Sequence, residues 1–416
     1  MSDYLDALET RDPQERERAL AAALPALIAR AKLASGWARI LQDVQAGEIN
    51  SRAALARLPV TRKSDLKEIQ RLELPFGGLT GTPASGLRRI FMSPGPIYDP
   101  EGVGADWWRY ARPMHALGLR AGQLVQNCFS YHFTPAAFMA EGGALKLGCP
   151  VIPAGIGQTE QQVQAIVDLR PRAYIGTPSF LKIILEKAAE MNADISSLKC
   201  ALVGAEALPP SLRSWLQEHG VAQVLQTYGS ADIGNIAYET TSNGALNPGM
   251  VLDEELLLEI VRPGTGTPVS EGEVGEVLIT SFNPDYPLIR FATGDLSAVL
   301  PGISPCGRTN VRIKGWMGRA DQTSKVRGMF VHATQVAQIV ARHDVIGRAR
   351  LVISGEMGND GMTLHCEVAD PGAELTAGVI VESIREITKL RGEVQLVTIG
   401  SLPNDGKVIE DARKYE

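Results

Sequence analysis

Apolar positions along the chain change their spacing twice. Through the first 70 residues they recur every three or four places. The clearest case is 16–32 (RERALAAALPALIARAK), rich in Ala and Leu and predicted to be helical with an interruption at Pro25. A second segment follows at Ile49-Asn50-Ser51, and then Leu58-Pro59-Val60-Thr61-Arg62-Lys63-Ser64-Asp65-Leu66; the whole stretch reads as a helical surface layer. From about residue 120 short apolar runs at 124–129, 149–152, 173–175, 201–203 and 224–228 alternate with helical patterns at 135–147, from 159 to near 171, 179–191 and 210–219. Thr159-Glu160-Gln161-Gln162 has the spacing of a capping box at the start of one of them. Short strands alternating with helices of 10–13 residues predict βαβ units and a parallel sheet. Ligands of such sheets bind beyond the carboxyl ends of the strands, so the loops after Val203 and Tyr228 are the first candidates for a site.

Beyond residue 250 the strand-like runs 256–261 and 273–280 are separated by the turn signals Gly264-Thr265-Gly266 and Glu271-Gly272. The last stretch, from about 322 to 416, carries pieces in the order β, α, β, β, α, β, with helices predicted at 333–343 and 376–390. That order fits a small α+β domain on a hinge near 318–321. No internal repeat and no low-complexity tract interrupts the pattern.

A chain of 416 residues has room for two or three domains, and 44% hydrophobic with 21% charged residues is the balance of an ordinary globular protein. Against 47 Asp and Glu stand 41 Lys and Arg, a net charge of −6. That sign argues against sequence-independent nucleic-acid binding, which needs an excess of cations. The 42 Gly and 25 Pro residues predict many connecting loops, where chemistry concentrates. Five scattered cysteines make no closed disulfide framework and no metal-ligand spacing, which points to a reducing compartment. The polar, acidic opening is unlike a signal peptide, and no apolar run approaches the roughly 20 residues a membrane span needs. The expectation is a cytoplasmic protein with neither nucleic acid nor membrane as a partner; the sequence is compatible with a homodimer.

Four loop segments stand out: Val203-Gly204-Ala205-Glu206; Tyr228-Gly229-Ser230-Ala231-Asp232; Ile289-Arg290-Phe291-Ala292-Thr293-Gly294-Asp295-Leu296; and Gly315-Trp316-Met317-Gly318-Arg319-Ala320-Asp321 with Val326-Arg327-Gly328. Singly each is a common turn. In this order they resemble the adenylate-forming superfamily of acyl- and aryl-CoA ligases, most closely its phenylacetate-CoA ligase branch. Leu147-Gly148-Cys149-Pro150-Val151-Ile152-Pro153, Cys306-Gly307-Arg308 and Leu402-Pro403-Asn404-Asp405-Gly406-Lys407 extend the resemblance over nearly the whole chain.

The resemblance implies an α/β fold. A large N-terminal domain, 1–318, would hold a parallel-stranded βαβ core and a β-rich lobe; a small mobile α+β domain, 319–416, would follow it. It implies that a carboxylic acid attacks the α-phosphate of ATP and that coenzyme A then attacks the acyl-adenylate, with Mg²⁺ as cofactor. By the same resemblance Asp295 accepts both ribose hydroxyls, Gly204, Ala205 and Glu206 lie against the adenine, and Tyr228 stacks on its other face, followed by Gly229 and Ser230. Asp232 stands where a glutamate usually holds Mg²⁺; an aspartate can still ligate it, one methylene shorter. Arg319 reaches the ribose or α-phosphate with its fork of donors. Asp321 marks the hinge, Arg327 and Gly328 face coenzyme A, and Lys407 stabilises charge as the adenylate forms. Phe129, Tyr131 and Phe133 would line a pocket for a small, flat acid, with His132 available to a polar substituent.

One motif departs from the pattern. The Ser-, Thr- and Gly-rich phosphate loop corresponds to Met92-Ser93-Pro94-Gly95-Pro96-Ile97-Tyr98-Asp99-Pro100. Its three prolines offer no N–H donors, Pro96 and Ile97 replace the paired threonines, and Asp99 takes the place of a lysine. Either the cradle is altered, with Ser93, Gly95 and Tyr98 supplying fewer donors, or the loop is a rigid turn in a nucleotide- or acyl-CoA-binding relative without catalysis. A further alternative keeps adenylation but passes the acyl group to an amine or carrier protein.

Overall fold

The computed structural model describes residues 3–93, 96–320, 323–326, 329–355, 361–372 and 374–413. The chain divides into two compact units. The first comprises Met1–Leu258, Ile279–Phe291 and Leu300–Gly315; the second comprises Glu259–Leu278, Ala292–Val299 and Trp316–Glu416.

The first unit is built on a nine-stranded sheet. Its parallel half runs Val151–Ile152, Val125–Asn127, Ala173–Gly176, Cys200–Val203, Gln223–Ser230, in that spatial order. Gly234–Tyr238, Met250–Leu252 and Arg312–Ile313 extend it antiparallel. Successive residues of a strand face opposite sides of a sheet, and here both sides are covered. Ala173, Ile175, Cys200 and Leu202 enter one apolar cluster with Phe91, Trp108 and Phe129; Tyr174, Ala201 and Val203 enter another with Val163, Leu181 and Leu216. Two-sided burial is why these strands read as uninterrupted apolar runs rather than as alternating ones.

Two local expectations are corrected. Pro25 does not interrupt the first helix, Pro13–Ala31. Leu24, Leu27 and Ile28 are buried around it, and their packing outweighs one lost backbone hydrogen bond. The helix Thr159–Leu169 begins one residue earlier than a capping box requires: its cap is Gln158, in the left-handed region and without a side-chain cap bond. Gln162 is instead buried, donating to the carbonyls of Ala154 and Gly155 at 3.2 and 3.0 Å and accepting from Gln126 Nε2 at 2.6 Å.

In the second unit a four-stranded sheet runs Glu393–Thr398, Gly361–Val368, Ala349–Ser354, Ile409–Asp411. Helices Ala333–Ala341 and Glu374–Thr388 share its core through Val336, Ile339, Ile380 and Ile384. The hairpin Thr323–Val326/Met329–His332 and the strand Ile409–Asp411 place one strand more at each end than the predicted order. Strands of three or four residues are too short to show a period.

Candidate active site

In the first unit the loops predicted to meet a ligand leave the carboxyl ends of adjacent parallel strands, Cys200–Val203 and Gln223–Ser230. A Cβ on Gly204 would lie 2.7 Å from Thr227 Oγ1, so the two loops approach as closely as a backbone without a side chain permits. Ala205 follows with φ +63°, a left-handed turn that lifts Ala205 and Glu206 to the surface. The turn is anchored through Glu206: its carbonyl accepts from Gln226 Nε2 at 3.0 Å and its Oε2 from the Ser179 amide at 3.4 Å. Tyr228 is buried, and a register shift after it bends the strand at Gly229, where a Cβ would meet the Gly234 carbonyl at 2.4 Å. Ser230 Oγ accepts from the Ile233 amide at 3.3 Å and closes the turn that carries Asp232.

The segment predicted to line the acyl pocket lies beside these loops. Phe129 is buried, with its ring edge 4.0 Å from a Cβ built on Gly204. Tyr131 packs edge-on to Phe138 at 5.1 Å, Phe138 lies 5.3 Å from Phe91, and the Met92 amide donates to the Phe133 carbonyl at 2.9 Å. The aromatic segment is thereby tied to the strand that enters the phosphate loop. His132 and Phe133 do not join this cluster; both are exposed, ring against ring at 4.7 Å. The Tyr131 hydroxyl accepts from Asn127 Nδ2 and donates to Glu141 Oε2, both at 2.9 Å, so one wall of the segment is polar. The sequence did not single out Glu141.

In the second unit Asp295 and Arg319 come together. Gly294, at φ +76°, turns the strand Leu288–Ser297 so that Arg319 Nη1 donates to Asp295 Oδ1 at 3.0 Å. Trp316 Nε1 donates to the same oxygen at 3.1 Å. Lys407 is exposed and lines a groove with Arg262, Glu273, Val274 and Arg348. Its neighbour Gly406 lies against the side chains of Val274 and Leu296.

Residues 109–283 match the model of the AMP-binding enzyme family. The phenylacetate-coenzyme A ligase of Thermus thermophilus is 30% identical over 356 residues, covering 82% of this chain and 79% of that protein. The chain belongs to the phenylacetate-CoA ligase branch of the adenylate-forming enzymes. The Escherichia coli phenylacetate-coenzyme A ligase is 27% identical over 85% of this chain and 84% of its own. Among solved structures, 2-hydroxyisobutyryl-CoA ligase in an open conformation with 2-HIB-AMP and CoA superposes with a TM-score of 0.71. It is 25% identical, and the match covers 97% of this chain and 92% of the other.

The departure of this CoA ligase from the phosphate-loop pattern has a structural counterpart. Ser93 and Ile97 face each other across the hairpin Arg89–Ser93/Ile97–Glu101, and Asp99 pairs with Phe91. Asp99 is wholly buried rather than presented to solvent. Burial first, and then the negative charge of Asp232, push its pKa up to about 8. Lys63 Nζ donates to Asp232 Oδ2 at 2.5 Å, so a cation from the Thr61–Arg62 strand end serves the carboxylates beside the loop. Lys63 lay inside a motif the sequence singled out, but only its position 169 residues from Asp232 in the chain, folded back, gives it this role. Asp232 is itself buried, and its Oδ1 has no hydrogen-bond partner among the described residues, an acceptor suited to a divalent cation. Gly95, the predicted hinge residue Asp321 and the predicted coenzyme A residues Arg327 and Gly328 lie outside the described residues.

No helix among the described residues is long and apolar enough to cross a membrane. All five cysteines are free.

Proposed function

We propose that this chain joins coenzyme A to a small aromatic carboxylic acid in two steps, through an acyl-adenylate formed from ATP with release of pyrophosphate. The observation that supports the reading best is the Asp295–Arg319 pair, in which Arg319 Nη1 donates to Asp295 Oδ1 at 3.0 Å: a carboxylate and a guanidinium side by side suit ribose hydroxyls and an α-phosphate. The Gly204 loop and Tyr228 support an adenine slot. Phe129 and Tyr131, beside that slot, support a flat acyl group. Magnesium, held at Asp232, would supply charge neutralisation for the phosphates. Lys407 serves adenylation on the small domain, which presents Arg327 and Gly328 to coenzyme A after turning about Asp321; that rotation is part of the proposal.

A second reading, favoured by the Asn127–Tyr131–Glu141 hydrogen bonds, is a short acid carrying a hydroxyl or amino group. ATP–pyrophosphate exchange over a panel containing phenylacetate, benzoate, aminobenzoates and 2-hydroxyisobutyrate tests both. Exchange with the unsubstituted aromatic acids is expected. Exchange only with the polar acids would move the assignment to the second reading, and exchange with none would leave a nucleotide-binding relative without catalysis. Consumption of free coenzyme A in the same mixtures separates a CoA ligase from an enzyme that serves an amine or carrier protein.

A further inference from the structure

The groove that Lys407 lines lies wholly within the second unit, and its two kinds of lining are segregated in chemistry. The floor is apolar. Ala337 and Val340 stand three residues apart, on one face of the helix Ala333–Ala341, and Val274 and Val408, each just ahead of a strand, join them. The charged members are Arg262, Arg348 and Lys407, against the one carboxylate of Glu273. The walls are fixed. A Cβ on Gly406 would lie 2.5 Å from Val274 Cγ1, so the segment carrying Lys407 is seated closely on the opposite side. Arg348 donates from Nη2 to the Pro403 carbonyl at 2.9 Å, which steadies its planar fork.

Among the described residues none of these three cations has an ion-pair partner. The acids close to them in the chain are engaged elsewhere. Asp405 and Glu410 both pair with Arg350, and Glu276 Oε2 accepts from the Gly264 amide at 3.3 Å. Like charges gathered along one groove repel one another, and an apolar wall strengthens both that repulsion and the attraction of an incoming anion. We propose that this groove is a second binding site, for an apolar monocarboxylate: its carboxylate meets Arg348, Lys407 and Arg262, and its apolar body lies on the floor of valine and alanine.

The lining selects against other anions. No aromatic side chain faces the groove, so a nucleobase finds no stacking partner there, and Glu273 opposes a polyphosphate. A guanidinium fork beside an ammonium matches a single carboxylate. An apolar monocarboxylate is also the class of acid that the chain activates, an identity that rests on the ligase reading, whereas the site itself does not. An acid bound here pairs with Lys407 and holds it in the groove. With Lys407 serving adenylation, excess acid then slows that step from a place outside the acyl pocket.

The test is equilibrium dialysis of the full chain without ATP, with radiolabelled phenylacetate as the probe. Ala337→Glu sets a carboxylate on the floor of the groove, on a good helix former, to pair with the same cations. It should show one saturable site fewer than the wild type. Arg348→Met should weaken that site at least about tenfold, and it is read alone should Ala337→Glu not fold. Phenylacetamide, of the same shape but uncharged, should not occupy the site. Equal binding by the wild type and the folded variants would overturn the proposal, and so would phenylacetamide binding there as tightly as phenylacetate. A site that coenzyme A fills in preference to phenylacetate would overturn the ligand class. In pyrophosphate exchange, inhibition by excess acid is expected in the wild type and not in Ala337→Glu, whose rate at low acid is unchanged; the same inhibition in both would overturn the coupling to Lys407. The dialysis contains no ATP, so its failure leaves the ligase reading to stand or fall on exchange at low acid.

Discussion

Arg319 donates to the Asp295 carboxylate at 3.0 Å while the backbones of the same two residues form an antiparallel bridge. The flanking amides of Leu296, Met317 and Ala320 add three backbone hydrogen bonds of 2.7–2.9 Å around the bridge. Side-chain orientation is therefore set by a small piece of sheet and not by the ion pair alone. In the proposed role of Asp295 a ribose hydroxyl would meet a carboxylate already oriented, at little cost in entropy.

Asp295→Ala should weaken binding of both ATP and AMP, since the proposed contact is to the ribose common to both. A hydrogen bond to a charged group contributes roughly 1.5–3 kcal/mol, so a loss of about tenfold or more is expected for each bond removed. Calorimetric titration of the folded variant measures it; unchanged affinity would remove Asp295 from the nucleotide site.

Gly294→Ala probes the same pair through the backbone. A Cβ there would lie 2.6 Å from Arg319 Nη2, at a φ of +76° that costs about 1–2 kcal/mol for a residue with a side chain. Displaced Arg319 should then lower AMP affinity in parallel with a fall in melting temperature. A variant that melts lower but binds AMP normally would show that Arg319 does not serve the nucleotide.

Lys407→Ala should abolish adenylation and spare the reaction of a supplied acyl-adenylate with coenzyme A. Single-turnover assays of the two half-reactions measure this directly. Equal loss in both would mean that Lys407, now exposed in its groove beside Val274, has a structural part and no separate one in adenylate formation.

Acid stability should carry the signature of His115. Burial, then the positive charges of Arg120 and Arg308, lower its pKa to about 4, against about 6.5 in an unfolded chain. Between those values the unfolded state binds more protons, so stability attributable to this group is intact above pH 6.5 and falls progressively as the pH drops toward 4. His115→Gln should flatten that part of the melting-temperature profile by a few degrees. An unaltered profile would place the acid sensitivity elsewhere, for example in the carboxylates paired with Arg112.

The parallel core and the βαβ order were legible in the sequence because they are local facts. An apolar run of four or five residues between two helical patterns has few other solutions, and two-sided burial repeats that signal strand after strand. The Gly204 and Tyr228 loops were legible for the same reason, since the end of such a strand is where a ligand can reach the backbone. Three features belonged to the tertiary structure alone. Helix packing carried the first helix through Pro25, against its local preference. The hairpin turned Asp99 inward, against its charge, because its strand partner Phe91 is part of the core and Gln70 clamps the neighbouring Tyr98. And Lys63 met Asp232 only because strands distant in sequence were brought to one place. Residue type and spacing can announce a strand or a turn, but the partner of a buried charge depends on contacts across the fold, which no local period records.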